Sequence, residues 1–154
     1  MKKFLFAILF VCIATISFAQ MAAPDHVALN PTDLKWQPSE FPGVMIAVAD
    51  GDPSKEGSSF TIYLKFPANF KFPAHWHPTD ESLVVVKGTI GVGVGDKMDP
   101  KSGVMLSAGA FGKMNKEVHH YAWTSKTGAT IALYGTGPFA TTFVDPKDDP
   151  RKKN

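Results

Sequence analysis

Only one of the 154 residues is a cysteine, and it stands at position 12. A disulfide within the chain is thereby excluded, and no thiolate is available beyond that point. Net charge is scarce too: 16 Lys and Arg face 14 Asp and Glu, with no basic stripe of the kind a nucleic-acid surface needs. No window carries a convincing 3.6-residue apolar period, so amphipathic helices are not the building block. The chain shows no internal repeat, no Ser-His-Asp order and no phosphate loop. Gly91, Gly93 and Gly95 alternate with valines, as a strand does and a nucleotide loop does not.

What is present begins with an address. Met1-Lys2-Lys3 is a short basic head, Phe4 to Ile16 is an almost unbroken apolar run, and Ser17-Phe18-Ala19 is a small-X-small site. That three-part pattern predicts a secretory signal peptide over 1–19. The run is shorter than the ~20 residues of a membrane span, and no second one follows. Bulky Val11 before Cys12 argues against lipid attachment. Removal of 1–19 would leave 135 residues, with 14 basic against 14 acidic and no cysteine. The expected product is one near-neutral domain, exported to the periplasm or secreted, with no nucleic-acid partner and no membrane association once the leader is gone.

Beyond the leader, 20–43 reads as an arm: a short strand at 26–29, a turn that could be one helical turn over 30–34, and Trp36 and Pro38 against a barrel surface. From Val44 onward, short strands are separated by Gly, Pro and Asp clusters. They are expected at 44–49, 60–66 (a clear period of two), 70–77, 83–86, 89–94, 103–106, 111–114, 120–124, 130–134 and 141–144. This is an all-β pattern, a sandwich or barrel over 44–144. A polar tail, 145–154, is expected to fray. Lys87-Gly88 fits a two-residue hairpin loop. Val86 would then pair with Thr89, Val85 with Ile90, Val84 with Gly91, Leu83 with Val92, and Glu81 would face Val94. Glu81, Leu83, Val85, Ile90, Val92 and Val94 would line the interior, and Gly91, Gly93 and Gly95 would lie outside, open to a neighbouring backbone.

The chemistry concentrates in Pro73-Ala-His75-Trp-His77-Pro-Thr-Asp-Glu81. Residues i and i+2 of a strand share a face, so His75 and His77 can converge. Pro78 and Thr79 supply a bend that returns Glu81 toward them. Imidazole with carboxylate suits one divalent transition metal, namely Fe, Mn, Ni, Zn or Cu. Glu81 would either ligate the metal or orient a histidine. Trp76, with Phe70 and Phe72, is expected on the opposite face. Later, His119 and His120 are adjacent, and alternation lets only one face the site. His120 is preferred, because small Ala122 and Thr124 would share its face while Tyr121 and Trp123 point away. His26 lies outside both stretches and reads as an ordinary strand residue.

These stretches resemble the two motifs of the cupin superfamily. His75, His77, Glu81 and Gly88 match the first in residue and spacing, but Asn69 stands where its leading Gly would be. In the second, Gly109 and His120 match, while Asn115 replaces Pro, Glu117 replaces Gly and Thr124 replaces Asn. With Gly137-Pro-Phe-Ala and Val144-Asp-Pro-Lys, the likeness extends to small exported single-domain bacterial cupins. It implies an antiparallel double-stranded β-helix, with a homodimer as one available assembly and a metal inside the barrel on three His and one Glu: His75, His77, His120 and Glu81.

Two function classes follow. In one, a small molecule chelates the open metal positions and is oxidised by an Fe(II)-like, dioxygenase-type cupin. In the other, the metal holds a small ligand in a non-catalytic binding or sensing module. A structural cupin with an empty site is a third reading. No catalytic acid or base is encoded at a revealing spacing. Tyr63, Lys65, Lys113 and Tyr134 are the available candidates.

Overall fold

The computed structural model describes residues 26–152, so the predicted leader lies outside the described residues. Among the described residues nine strands form: β1 Gln37–Pro38, β2 Met45–Gly51, β3 Ser59–Phe66, β4 Lys71–Trp76, β5 Glu81–Val94, β6 Val104–Ser107, β7 Phe111–Met114, β8 His120–Thr136 and β9 Thr142–Phe143. Two 3-10 turns, Pro146–Asp148 and Pro150–Lys152, follow. All pairings are antiparallel. The all-β class and the cupin-type barrel expected from the sequence are what the chain forms.

The two long strands organise the rest. β5 and β8 pair along their whole length, from Glu81 opposite Gly135 to Val94 opposite His120. This ribbon bends at 86–89 and 125–128, so its two halves belong to different layers. In one layer the order is β1-β2-β3, the second half of β8, the first half of β5, then β7. In the other it is β9-β4, the first half of β8, the second half of β5, then β6. Between them sits a core of Val44, Phe60, Ile62, Phe66, Leu83, Val85, Ile90, Ala129, Ile131 and Leu133. Inward-facing apolar residues from both layers meet there, as the period of two in β3 requires.

Several local expectations are corrected. The Lys87-Gly88 hairpin does not form: 83–86 and 89–94 are parts of one strand, and Lys87 and Gly88 pair with Thr130 and Ala129. Likewise 120–124 and 130–134 are one strand. Register shifts between Val85 and Lys87 and between Gly88 and Ile90 let β5 change face at the bend. Leu83, Val85 and Ile90 are thereby all buried, as the hairpin register also implied, but Val94, the last residue of β5, is 64 % exposed. Of the three glycines expected outside, Gly91 and Gly93 meet aromatic rings, not a backbone, and Gly95 has nothing within 4 Å. A Cβ on Gly91 would fall 2.1 Å from the Trp123 ring, and one on Gly93 would fall 2.3 Å from Tyr121. Gly103 closes on Trp123 from the loop before β6, where a Cβ would fall 2.5 Å from the ring tip. Tyr121 is therefore buried although it points away from the barrel interior, and its hydroxyl donates to the Asp99 carbonyl at 2.8 Å.

Both ends of the described chain also differ from expectation. Residues 26–29 form no strand, and 30–33 make a reverse turn rather than a helical one, closed by Asp33 N–H to the Asn30 carbonyl at 2.9 Å. The tail is tied down as far as Lys152. Arg151 Nε donates to Asp149 at 2.7 Å, Nη2 to the Thr141 carbonyl at 2.9 Å, and Nη1 to both Glu40 oxygens at 3.3 Å. One guanidinium thus joins the tail, the residue before β9 and the segment after β1.

The bend in the ribbon has a strict steric requirement. Gly88 has φ +77°, and a Cβ there would stand 2.1 Å from the Gly128 carbonyl oxygen. Gly57 has a similar φ of +72° with nothing within 4 Å. Gly57→Ala is therefore expected to cost only the left-handed backbone penalty, about 1 kcal/mol. Gly88→Ala adds a backbone clash and should cost about 2–4 kcal/mol. Equal urea midpoints for the two variants would contradict the role given to this corner.

Candidate metal centre

β4 carries a proline at position 73, where a strand is compatible with a bulge rather than a regular ladder. The register shifts there, between Phe72 and His75. In consequence Phe72 shares the inner side with His75, its ring centroid 4.2 Å from the imidazole, and Phe70 packs on Phe66 at 5.5 Å. The expected outer stripe of Phe70, Phe72 and Trp76 is thus not formed. His75 and His77 keep the i, i+2 relation and both are buried. His120, first residue of β8, lies opposite His75 in the β4–β8 ladder. One ring nitrogen from each of the three lies within 4.8 Å of the others. His119 turns the other way, and its Nδ1–H donates to Asp96 Oδ1, 2.7 Å away at the surface.

The turn 78–80 brings Glu81 back to this point. Asp80 accepts from Lys116 N–H at 2.8 Å and pairs with Lys113 Nζ at 3.0 Å, and Glu117 N–H donates to the His77 carbonyl at 2.9 Å. The turn carrying Glu81 and the turn preceding His120 are thereby joined. Glu81 Oε2 is 3.1 Å from His77 Nε2, and Oε1 is 3.5 Å from His120 Nε2, at the limit of hydrogen-bonding reach. His120 Nε2 is buried and makes no hydrogen bond of good geometry.

The orientation of the rings is decided on their far sides. His75 Nδ1 lies 2.7 Å from the Pro73 carbonyl, His77 Nδ1 2.8 Å from the Ala140 carbonyl, and His120 Nδ1 2.8 Å from the Val118 carbonyl. A carbonyl only accepts, so each Nδ1 carries the proton. In the neutral rings all three Nε2 lone pairs then face inward, toward one another and toward the carboxylate. Four electron-rich atoms converging in a buried place need a cation or a proton between them. Three imidazoles with one carboxylate are a donor set that fits a divalent transition ion.

In the metal-free protein, protons take that part. Burial opposes the charged form of Glu81, but the His120 and His77 rings beside it outweigh that and hold the carboxyl well below its usual range. Burial also opposes charging of His120, yet the neighbouring Glu81 carboxylate prevails and raises its pKa. His75 is pushed down to about 3, first by burial and then by the charges of His120 and His77.

The departures from the two motifs have a structural answer. Asn69 and Glu117, which stand where the pattern has glycine, are the two non-glycine residues with positive φ among those described, at 55° and 62°. The backbone shape persists without the residue that makes it easy. Asn tolerates this region and Glu does so poorly. Thr124, in place of Asn, is a clamp: its hydroxyl donates to the Pro67 carbonyl at 2.6 Å and accepts from Phe70 N–H at 2.9 Å. It holds the approach to β4 against β8.

The cluster forms part of the wall of a cavity of about 360 Å³ between the layers. Its other walls are mostly aliphatic and aromatic, including Ile62, Leu64, Phe72, Leu133 and Phe139. None of Tyr63, Lys65, Lys113 or Tyr134 lines it. Lys65 lies over the Trp36 ring at 4.6 Å, and Lys113 is engaged with Asp80. His26 is exposed. The sequence reading missed Phe139, which stacks on His77 at 4.4 Å, and Glu40 and Phe41, which line the cavity beneath Arg151. The Gly137-Pro-Phe-Ala stretch was the available signal, since it supplies both Phe139 and the carbonyl that orients His77.

Two measurements test this arrangement. Replacing Glu117 by Gly keeps the backbone bond to His77 and relieves the left-handed strain, so E117G should gain about 0.5–1 kcal/mol on denaturation. N69G should be nearly neutral, and a destabilised E117G would count against the strain. In the metal-free protein, the unfolded chain protonates His75 near pH 6.5 while the folded chain refuses that proton until about 3. Its contribution is therefore present above 6.5 and lost as pH falls through this window. Glu81 adds a loss below the ordinary carboxylate range, whereas the contribution of His120 is present at low pH and fades as pH rises. His75→Asn should flatten the decline between 6.5 and 3 relative to wild type. An unchanged profile would contradict a neutral buried His75.

Comparison with known proteins agrees with the geometry. A search of curated proteins finds no match. Among solved structures, the polyketide cyclase RemF from Streptomyces resistomycificus is similar at TM-score 0.64 and 15 % identity, over 80 % of this chain and 89 % of that one. An acetylacetone dioxygenase from Acinetobacter johnsonii gives 0.59 and 18 %, over 91 % and 87 %. The anti-sigma factor ChrR, in its complex with SigE from Rhodobacter sphaeroides, gives 0.51 and 20 %, over 70 % and 51 %. At these identities the likeness speaks for the fold. The family model is more specific: that of the ChrR cupin-like domain matches residues 24–140, and it is to this family of cupins that the chain belongs.

Proposed function

We propose that this chain is a metal-dependent cupin that binds or transforms a small molecule outside the cytoplasm. His75, His77, His120 and Glu81 would hold one divalent ion of the Fe, Mn, Ni, Zn or Cu class. The observation that carries this reading is the set of three Nδ1–carbonyl hydrogen bonds, which leaves three Nε2 atoms and a carboxylate facing one buried point. When bound, such an ion would supply Lewis acidity and open positions for a chelating ligand, and iron would add chemistry with O₂. The protein's own part is to orient the four donors and to exclude water with apolar walls.

The best enzymatic reading is a dioxygenase-type oxidation, supported by the likeness to an acetylacetone dioxygenase. A second reading, a binding or sensing module, is favoured because Glu40, the one ionisable lining residue beyond the cluster, is engaged by Arg151 at the exposed mouth, and by membership of a family named for an anti-sigma factor. The 1–19 leader supports an exported location. Exposed Val104, Met105 and Phe111 on β6 and β7 support a homodimer.

Elemental analysis of protein isolated from its export compartment should find about one divalent ion per chain. His75→Ala and His120→Ala should abolish it, and metal should raise the melting temperature of wild type alone. A protein that takes up none of these metals, and whose stability ignores their addition, would overturn the proposal. Oxygen uptake with catechols, flavonols and thiols would separate the two readings. Turnover supports the enzyme, and tight binding without turnover supports the sensor.

A further inference from the structure

The cavity says more about its ligand than the histidines do. No Lys or Arg is among its lining residues. The nearest guanidinium, Arg151, is engaged by Asp149, Glu40 and the Thr141 carbonyl, so it is not free to receive a ligand carboxylate. Gln37, Ser39 and Glu40 line the cavity but are exposed or half-exposed, which puts them at its mouth. Deeper in, Thr141 is the one lining side chain outside the donor cluster that can donate a hydrogen bond. A polyol there would lose water at most of its hydroxyls without replacement, and a buried polar group left unpaired is costly.

Charge sharpens the selection. A divalent ion beside neutral imidazoles and one carboxylate leaves a single net positive charge in an apolar enclosure. Buried charge is costly unless compensated. One negative charge on the ligand neutralises the site, a dianion reverses the imbalance, and a neutral sugar leaves it in place. Size adds a further bound. Benzene is held by a cavity of about 150 Å³, and this one is about 360 Å³. A single ring with short substituents fits. Phe72 and Phe139, packed on His75 and His77, give the wall beside the donors an aromatic surface suited to such a ring.

We infer that the cavity takes an apolar, ring-sized molecule that meets the metal as a monoanion through oxygen, and that it rejects dicarboxylates and sugars. The inference rests on the metal-dependent reading above. Enolates, phenolates and aromatic monocarboxylates share this chemistry.

The test uses titration calorimetry on full-length mature protein, loaded with redox-inert zinc or stripped of metal. Zinc is titrated alone first, and its failure to bind would sink the metal reading and this inference with it. With zinc bound, benzoylacetone, catechol and benzoate represent the three sources of a monoanionic oxygen, with oxalate and glucose as the rejected classes. At least one of the first three should bind a hundredfold more tightly than either of the last two, and only with zinc present. The arm that binds best identifies the source. Gln37→Arg, at the exposed mouth, adds a cation to the lining and should narrow the preference over oxalate severalfold. Zinc uptake with oxalate or glucose bound as tightly as the aromatic ligands would overturn this inference and leave the metal reading standing. So would aromatic binding indifferent to zinc.

Discussion

The fold depends on the bend in one two-stranded ribbon. Run straight, β5 and β8 would hold Glu81 and His120 at opposite ends of their ladder, since Glu81 pairs with Gly135 and His120 with Val94. Bent at 86–89 and 125–128, the ribbon returns on itself, and the two side chains come within 3.5 Å. Gly88 and Gly128 permit this. Both have positive φ, and each sits so close to a carbonyl oxygen that a Cβ would collide with it. Thr89 Oγ1 to Ser125 Oγ, at 2.6 Å, adds a polar tie across the corner. Every other layer contact, and the cavity between the layers, follows from that geometry.

The donor cluster is the second consequence. Two of its rings are oriented from within their own chain segment, His75 by Pro73 and His120 by Val118, each two residues earlier. His77 instead depends on Ala140, 63 residues away, and so on the connection between β8 and β9 being in place. The rings are aligned before any cation arrives. A proton shared by His120 and Glu81 would use the same lone pairs as a cation, so the two would compete.

The all-β class, the barrel, and the meeting of His75, His77, Glu81 and His120 were legible because they rest on short-range spacing and on two recurrent motifs. What failed were inferences in which a local signal had two structural meanings. Lys87-Gly88 reads as a hairpin because Gly accepts positive φ, and a strand corner uses the same property. Which one forms is settled by pairing with Thr130 and Ala129, more than 40 residues away. Phe72 was placed on the wrong face because strict alternation ignores the bulge at Pro73. The polar tail looked loose because composition does not reveal that Arg151 has Glu40, Asp149 and a carbonyl waiting for it. The character of the cavity was hidden for a similar reason. Its walls come from many separate strands, and each apolar residue by itself looks like ordinary core.

The outer face of the ribbon constrains how this sequence can change over time. The Trp123 ring fills a slot between Gly91 and Gly103, and a Cβ on either would fall within 2.5 Å of it. Neither glycine can acquire a side chain while the indole remains. The indole can shrink first, at the cost of a void, and only then can the glycines fill it. The three positions therefore form an ordered path: substitutions deleterious in one sequence of steps become tolerable in another, and relatives that have lost the indole should be the ones free to carry side chains at positions 91 and 103.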